Sequence, residues 1–115
     1  MAFQSVKRVE PYWYTPEDQK DLEGEEPMQF WIRCLTASEQ FDVFSSQIAT
    51  IVARDSFRIC CTEIRNATKP NGRPCVNAAQ FLMLPDSMDY VAEVGAVIVE
   101  NSVNTEEEKK TSSSE

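Results

Sequence analysis

The chain has no histidine and only three glycines. Without imidazole, proton transfer near neutral pH has lost its usual side chain and would fall to Asp, Glu, Lys, Tyr or Cys. So few glycines leave no phosphate-cradling loop, and no G-x-S-x-G nucleophile turn is present. No pair of carboxylates is embedded in apolar sequence, where burial could shift a pKa. The four cysteines, Cys34, Cys60, Cys61 and Cys75, contain no C-x-x-C pair, so their spacing does not suit zinc. Cys60 and Cys61 are adjacent and point in different directions on either a helix or a strand. All four read as small hydrophobes in a reducing compartment. No apolar run approaches the roughly 18 residues needed to span a bilayer, and Met1 to Glu10 has no apolar leader core. Bases are the minority, 11 against 19 acids, and they are not clustered as phosphate binding requires. These absences predict a cytoplasmic protein that is not an enzyme, carries no cofactor or metal, and binds neither nucleic acid nor membrane.

What is present is enough apolar sequence for one modest core: 42% of 115 residues. The net charge of -8 is unevenly placed. Glu17 to Glu26 carries six acids and one base, and Thr105 to Glu115 four acids and two bases, so the remainder is almost neutral. Such runs read as solvated segments. The expected organisation is one domain over residues 1–104 and a disordered acidic tail over 105–115.

The expected fold class is α+β and mainly helical, a small N-terminal β-hairpin followed by two or three helices. Met28, Phe30, Ile32 and Cys34 alternate with Gln29, Trp31, Arg33 and Leu35, the period of a strand. The aromatic run Tyr12-Trp13-Tyr14 favours extended chain, limited by Pro11 to an edge or short pieces. The two segments should pair across the acidic loop. Thr36-Ala37-Ser38-Glu39 is a capping box, with Leu35 placed for a hydrophobic staple. The helix it opens predicts a buried face of Phe41, Phe44, Ile48 and Ile51, with Val43 off that face. Asp55 or Ser56 could cap a further helix through Arg65; its β-branched and Cys residues also suit a strand, and the helix is favoured. Pro70-Asn71-Gly72-Arg73-Pro74 is a turn. Phe81 to Pro85 leads to a last helix, capped by Asp86 and with Asp89 in its first turn. Met88, Val91, Gly95, Ile98 and Ser102 form its first face. Val97-Ile98-Val99 also has strand propensity.

Two features exceed what a small core needs. Three consecutive aromatics in extended chain cannot all face one core, so Trp13 is a candidate exposed anchor, though a harmless surface ring is the commoner case. The last helix carries a second apolar stripe, Tyr90, Val94 and Val97, at i, i+4 and i+7. It suits either a helix packed on both sides or a face for an apolar helical partner.

The order of these pieces resembles the short product of the tail assembly chaperones of long-tailed bacteriophages, over most of the chain. The resemblance lies in the acidic loop, strand and Leu-Thr helix start Glu25-Glu26-Pro27-Met28-Gln29-Phe30-Trp31-Ile32-Arg33-Cys34-Leu35-Thr36. It continues in a charged helix leading to Asn71-Gly72-Arg73-Pro74. It ends with Leu84-Pro85-Asp86, a helix and the tail Thr105-Glu106-Glu107-Glu108-Lys109-Lys110. The resemblance implies a chaperone that binds the tape measure protein and keeps it from aggregating in the host cell cytoplasm until the tail tube assembles. It implies absence from the mature virion, and contact with the tail tube protein through a frameshifted longer form. Self-association stays open. The alternatives are a small phage accessory or structural protein retained in the particle, and an unrelated protein-binding module.

Overall fold

The computed structural model describes residues 9–21, 24 and 26–103. The acidic tail at 105–115 lies outside them. Strand β1, Tyr12–Tyr14, leads through a one-turn 3-10 helix, Glu17–Gln19, to strand β2, Gln29–Ile32. Helices α1, Ala37–Val43, and α2, Ala49–Cys60, follow, then strand β3, Cys61–Arg65. The short helix α3, Ala78–Leu82, precedes the sixteen-residue α4, Met88–Val103. The α+β class expected from the sequence holds, with a third strand added to the hairpin and four α-helices among the described residues where two or three were expected.

The antiparallel sheet runs in the order β1-β2-β3. Tyr12 pairs with Ile32, Trp13 with Trp31 and Tyr14 with Phe30; Phe30 pairs with Ile64 across β3. Directly opposed residues share a face, so Phe30, Ile32 and Ile64 point into the core while Trp13 and Trp31 share the outer face. The expected alternation of β2 is therefore the observed one.

The helix favoured through Arg65 ends instead at Cys60, where the backbone turns extended at Cys61 (φ -88°, ψ 107°). Pairing with β2, which skips Thr62 at a register shift, gives Ile64 the pleated setting that suits a β-branched side chain and carries Cys61 into the core. Asp55 and Ser56 do not cap; both lie inside α2. Ser56 is fully buried and its hydroxyl has no hydrogen-bond partner.

The core is built on three phenylalanines from three elements: Phe30 of β2, Phe57 of α2 and Phe81 of α3. Their ring centroids lie 5.2–5.8 Å apart, the two contacts of Phe30 edge-on, an arrangement aromatic quadrupoles favour. Helices α2 and α4 close over it. They approach at Gly95, where a Cβ would run into the Ala53 backbone. That contact requires glycine in the middle of α4 despite its cost to helix stability. The end of α4 is tied by polar groups to the segment between β2 and α1: the Leu35 N–H donates to Ser102 Oγ at 2.8 Å, and the Ser102 hydroxyl donates to the Ile98 carbonyl.

Two helix starts differ from expectation. Helix α3 is capped by Asn77, whose side chain accepts from the Gln80 N–H at 2.9 Å. Helix α4 begins at Met88 rather than directly after Asp86, with the Val91 N–H bonded to the Ser87 carbonyl. Asp89 stands in its first turn, and Val97-Ile98-Val99 is helical.

Candidate partner-binding face

The helix-starting box forms as its spelling requires. Thr36 Oγ1 accepts from the Glu39 N–H, and Glu39 Oε1 accepts from the Thr36 N–H at 2.9 Å. Arg33 then grips the same carboxylate with two nitrogens at 2.8 and 2.9 Å. That bond to Arg33, with the backbone and side-chain bonds of Thr36, holds the Glu39 carboxyl down at about 2. The staple does not form. Its expected partner position four residues into the helix is Gln40, whose amide instead donates to the Leu35 carbonyl at 3.3 Å.

Beyond this box the expected buried face is inverted. Phe41 is 82% exposed, Phe44 39% and Ile48 57%, whereas Val43 is 2% exposed and joins the core. The physical cause is a break at Phe44. Ser45 Oγ donates to the Asp42 carbonyl at 2.7 Å, and the Ile48 N–H donates to Ser46 Oγ at 3.1 Å. Local serine bonds of this kind compete with continued helix. The helical period counted across Ser45-Ser46 therefore joins residues that belong to two different helices. In the seven-residue α1 the only buried residue is Val43, leaving Phe41 and Phe44 on the outside.

Phe44 and Ile48 lie in an uncharged stretch, whereas Phe41 stands beside Asp42 and two residues from Glu39. From Phe44 to Ala53, ten consecutive residues, there is no ionisable side chain, in a chain where 26% are charged. A depression of about 600 Å³ lies against Phe41, Phe44, Ala37 and Gln40. Next along the chain, Ser46, Gln47 and Ala49 enter the wall of a second groove of about 530 Å³ between α2 and α4, floored by Val52, Ala53, Ala92, Ala96 and Val99. Exposed aromatic rings of this kind are enriched at interface centres.

The residues singled out from the sequence fare differently. Val94 is 0% exposed and part of the core, so it presents no surface to a partner. Val97 is half-buried against the same core. Tyr90 stacks edge-on against Phe81, with centroids 6.3 Å apart, and its hydroxyl donates to Asp18 at 2.7 Å. Of the stripe Tyr90, Val94 and Val97, Val94 lies inside, while Tyr90 and Val97 are half-buried, Tyr90 against Phe81 of α3 and Asp18 of the 3-10 turn. Met88, placed on one face of α4 with Val91, Gly95, Ile98 and Ser102, is 66% exposed at its first turn, while the other four are buried. Trp13 is half-buried; its ring lies 5.4 Å from Trp31 and under the Arg65 guanidinium at 4.1 Å. The structure does not bring Trp13 and the α4 stripe onto one face. The sequence signal that could have found Phe41 and Phe44 was the Ser45-Ser46 pair, read as a helix stop.

Burial pushes the Cys60 and Cys61 thiols up to about 12 and raises Cys75 as well. These thiols are poor nucleophiles in the folded chain. Among the described residues no group of three His, Cys, Asp or Glu side chains could hold a metal ion. Nor is any described helix long and apolar enough to cross a membrane. No protein-family model matches the chain, no curated protein matches it, and no solved structure matches it.

Proposed function

We propose that this chain is a phage tail assembly chaperone that binds the tape measure protein and holds its apolar surface out of water until the tail tube forms around it. The observation that carries the reading is the pair of exposed rings Phe41 and Phe44, which line one depression beside an uncharged stretch, taken with the ordered resemblance described above. A helical client would lay an apolar stripe across this corner and the adjoining α2–α4 groove, in the helix-in-groove mode. Binding would act by mass action, lowering the free client concentration below that at which it self-associates. The remaining surface, carrying the net charge of -8, would keep a crowded complex dispersed by repulsion. The work belongs to the host cell cytoplasm, before the particle is complete. A frameshifted longer form would add contact with the tail tube protein.

The test is co-expression with the tape measure protein encoded by the same genome. The wild-type chain should keep the client in the supernatant. Phe41→Asp should leave the circular dichroism spectrum unchanged and send the client to the pellet. Mass spectrometry of purified virions should find the tape measure protein without this chain. A wild-type chain that fails to change the client's solubility, or that is found stoichiometrically in virions, would refute the proposal.

A further inference from the structure

The lining of the α2–α4 groove comes from those two helices and the corner before α2, and none of it from the sheet. Backbone groups within a helix bond to one another, so the walls offer no row of N–H and C=O groups to an extended chain. An extended occupant would bury its own backbone groups unpaired, which is costly. A helix brings them already paired. The floor is short, Ala53, Ala92 and Ala96, between Val52, Val99 and Val103. Such a floor leaves holes for long aliphatic side chains.

The rim adds charge of one sign. On the outer side of α4, Asp89, Ala92, Ala96, Glu100 and Val103 are all exposed. They recur at i, i+3, i+7, i+11 and i+14, which is one face of a helix. That face carries two acids, and α4 as a whole has no Lys or Arg. Its third acid, Glu93, is already taken by the Tyr14 hydroxyl and the Glu17 N–H. Asp89 and Glu100 form no salt bridge with any base among the described residues. They stand about three turns apart, roughly 16 Å along the axis. Across the groove the α2 rim is Gln47 and Thr50, both uncharged. Arg54, further along α2, is turned onto Asp55 at 3.2–3.3 Å. A second copy of this chain does not suit such a rim. Its exposed rings would arrive with Glu39 and Asp42 beside them, and like charges brought together at an interface are costly.

We propose that the α2–α4 groove receives an amphipathic helix of a partner protein, with long aliphatic side chains in its apolar stripe and Lys or Arg along one flank, about three turns apart, to meet Asp89 and Glu100. The inference rests on the chaperone reading for the use of this groove by a helix, and adds the chemistry that the helix must have.

Two synthetic peptides test it. They share an amphipathic leucine stripe and differ only at two flank positions about three turns apart, lysine in one and glutamate in the other. At low salt, fluorescence anisotropy should show the full-length chain binding the lysine peptide about tenfold more tightly, since each rim pair shifts affinity a few-fold in either direction. In about 1 M salt, where the screening length is about 3 Å, the ratio should fall towards one. Asp89→Lys combined with Glu100→Lys should invert the preference, although the chain stays net negative. Ala96→Phe, which fills the groove from an exposed position, should abolish binding of both peptides. Circular dichroism checks that the variants fold, and the salt ratio is read on the wild type alone. The proposal is refuted by equal affinities at low salt, by a preference that survives charge reversal, by binding that survives Ala96→Phe, or by failure of both peptides to bind. Co-expression separates the two readings. A chain that solubilises the tape measure protein but ignores peptide charge keeps the chaperone reading and loses this one. A chain that follows peptide charge but leaves the client in the pellet does the reverse.

Discussion

Phe30, Phe57 and Phe81 meet in the centre of the domain, while Phe41 and Phe44 stand on its rim, 82% and 39% exposed. The side chain is the same in both places; what differs is the number of elements able to reach it. The inner three come from a strand and two helices that converge, so each ring is covered by the others and by α4. The outer two sit on, and directly after, a seven-residue helix held to the body by Leu35, Val43 and the Arg33–Glu39 pair. Apolar character makes burial favourable, but a helix that short has one core-facing position, and Val43 occupies it. The two rings left over are the surface on which a partner could act.

The comparison breaks first at its inner pole. Phe57→Ala should cost about 3–5 kcal/mol, enough to leave a small domain of about 5–15 kcal/mol total stability largely unfolded on mild heating. A urea titration that showed less than about 1 kcal/mol would mean that the ring is not central. Gly95→Ala comes next. Its new Cβ meets Ala53 backbone rather than a yielding side chain, so α2 and α4 must part, at about 1–3 kcal/mol by overpacking. In an exposed helix the same change would stabilise, which makes the sign of the shift in Tm decisive.

Glu39→Ala sharpens the comparison by loosening α1 alone. It removes the return half of the box and the partner of Arg33, at about 1 kcal/mol. The pH dependence follows from the lowered carboxyl. Because the folded pKa, about 2, is below the ordinary 4.5, the Glu39 contribution is fully present above about pH 4.5. It is lost as the pH falls towards 2. Chemical denaturation at pH 6 and pH 2.5 should show the wild-type advantage over Glu39→Ala shrinking at the lower pH. Phe41→Ser should have the smallest effect, under about 0.5 kcal/mol, as surface substitutions do. A loss of 2 kcal/mol or more would place Phe41 in the core after all.

Much of the fold was readable from short-range rules. The box Thr36-Ala37-Ser38-Glu39, the alternation of β2 and the turn at Asn71-Gly72 are local chemistry, and each appears where it is spelled, with Gly72 at φ 87°. The readings that failed compare residues across an unseen break or neighbour. The apolar period through Phe41, Phe44 and Ile48 crosses the Ser45-Ser46 stop, so it described no single helix. The Tyr90, Val94 and Val97 stripe was counted correctly on α4, but whether it faced solvent depended on the sheet, α3 and the 3-10 turn.

The sequence by itself determined the start of α1 and the alternation of β2, which are set within a few residues, and the charge map that leaves Phe44 to Ala53 without an ionisable group. Only the tertiary structure decided that Cys61 to Arg65 joins β2 as a strand, that Val94 lies inside and that Phe41 lies outside. Local hydrogen bonds and backbone preferences are settled by neighbours in the chain, whereas burial is settled by whichever distant elements pack against a side chain, and no short window contains them.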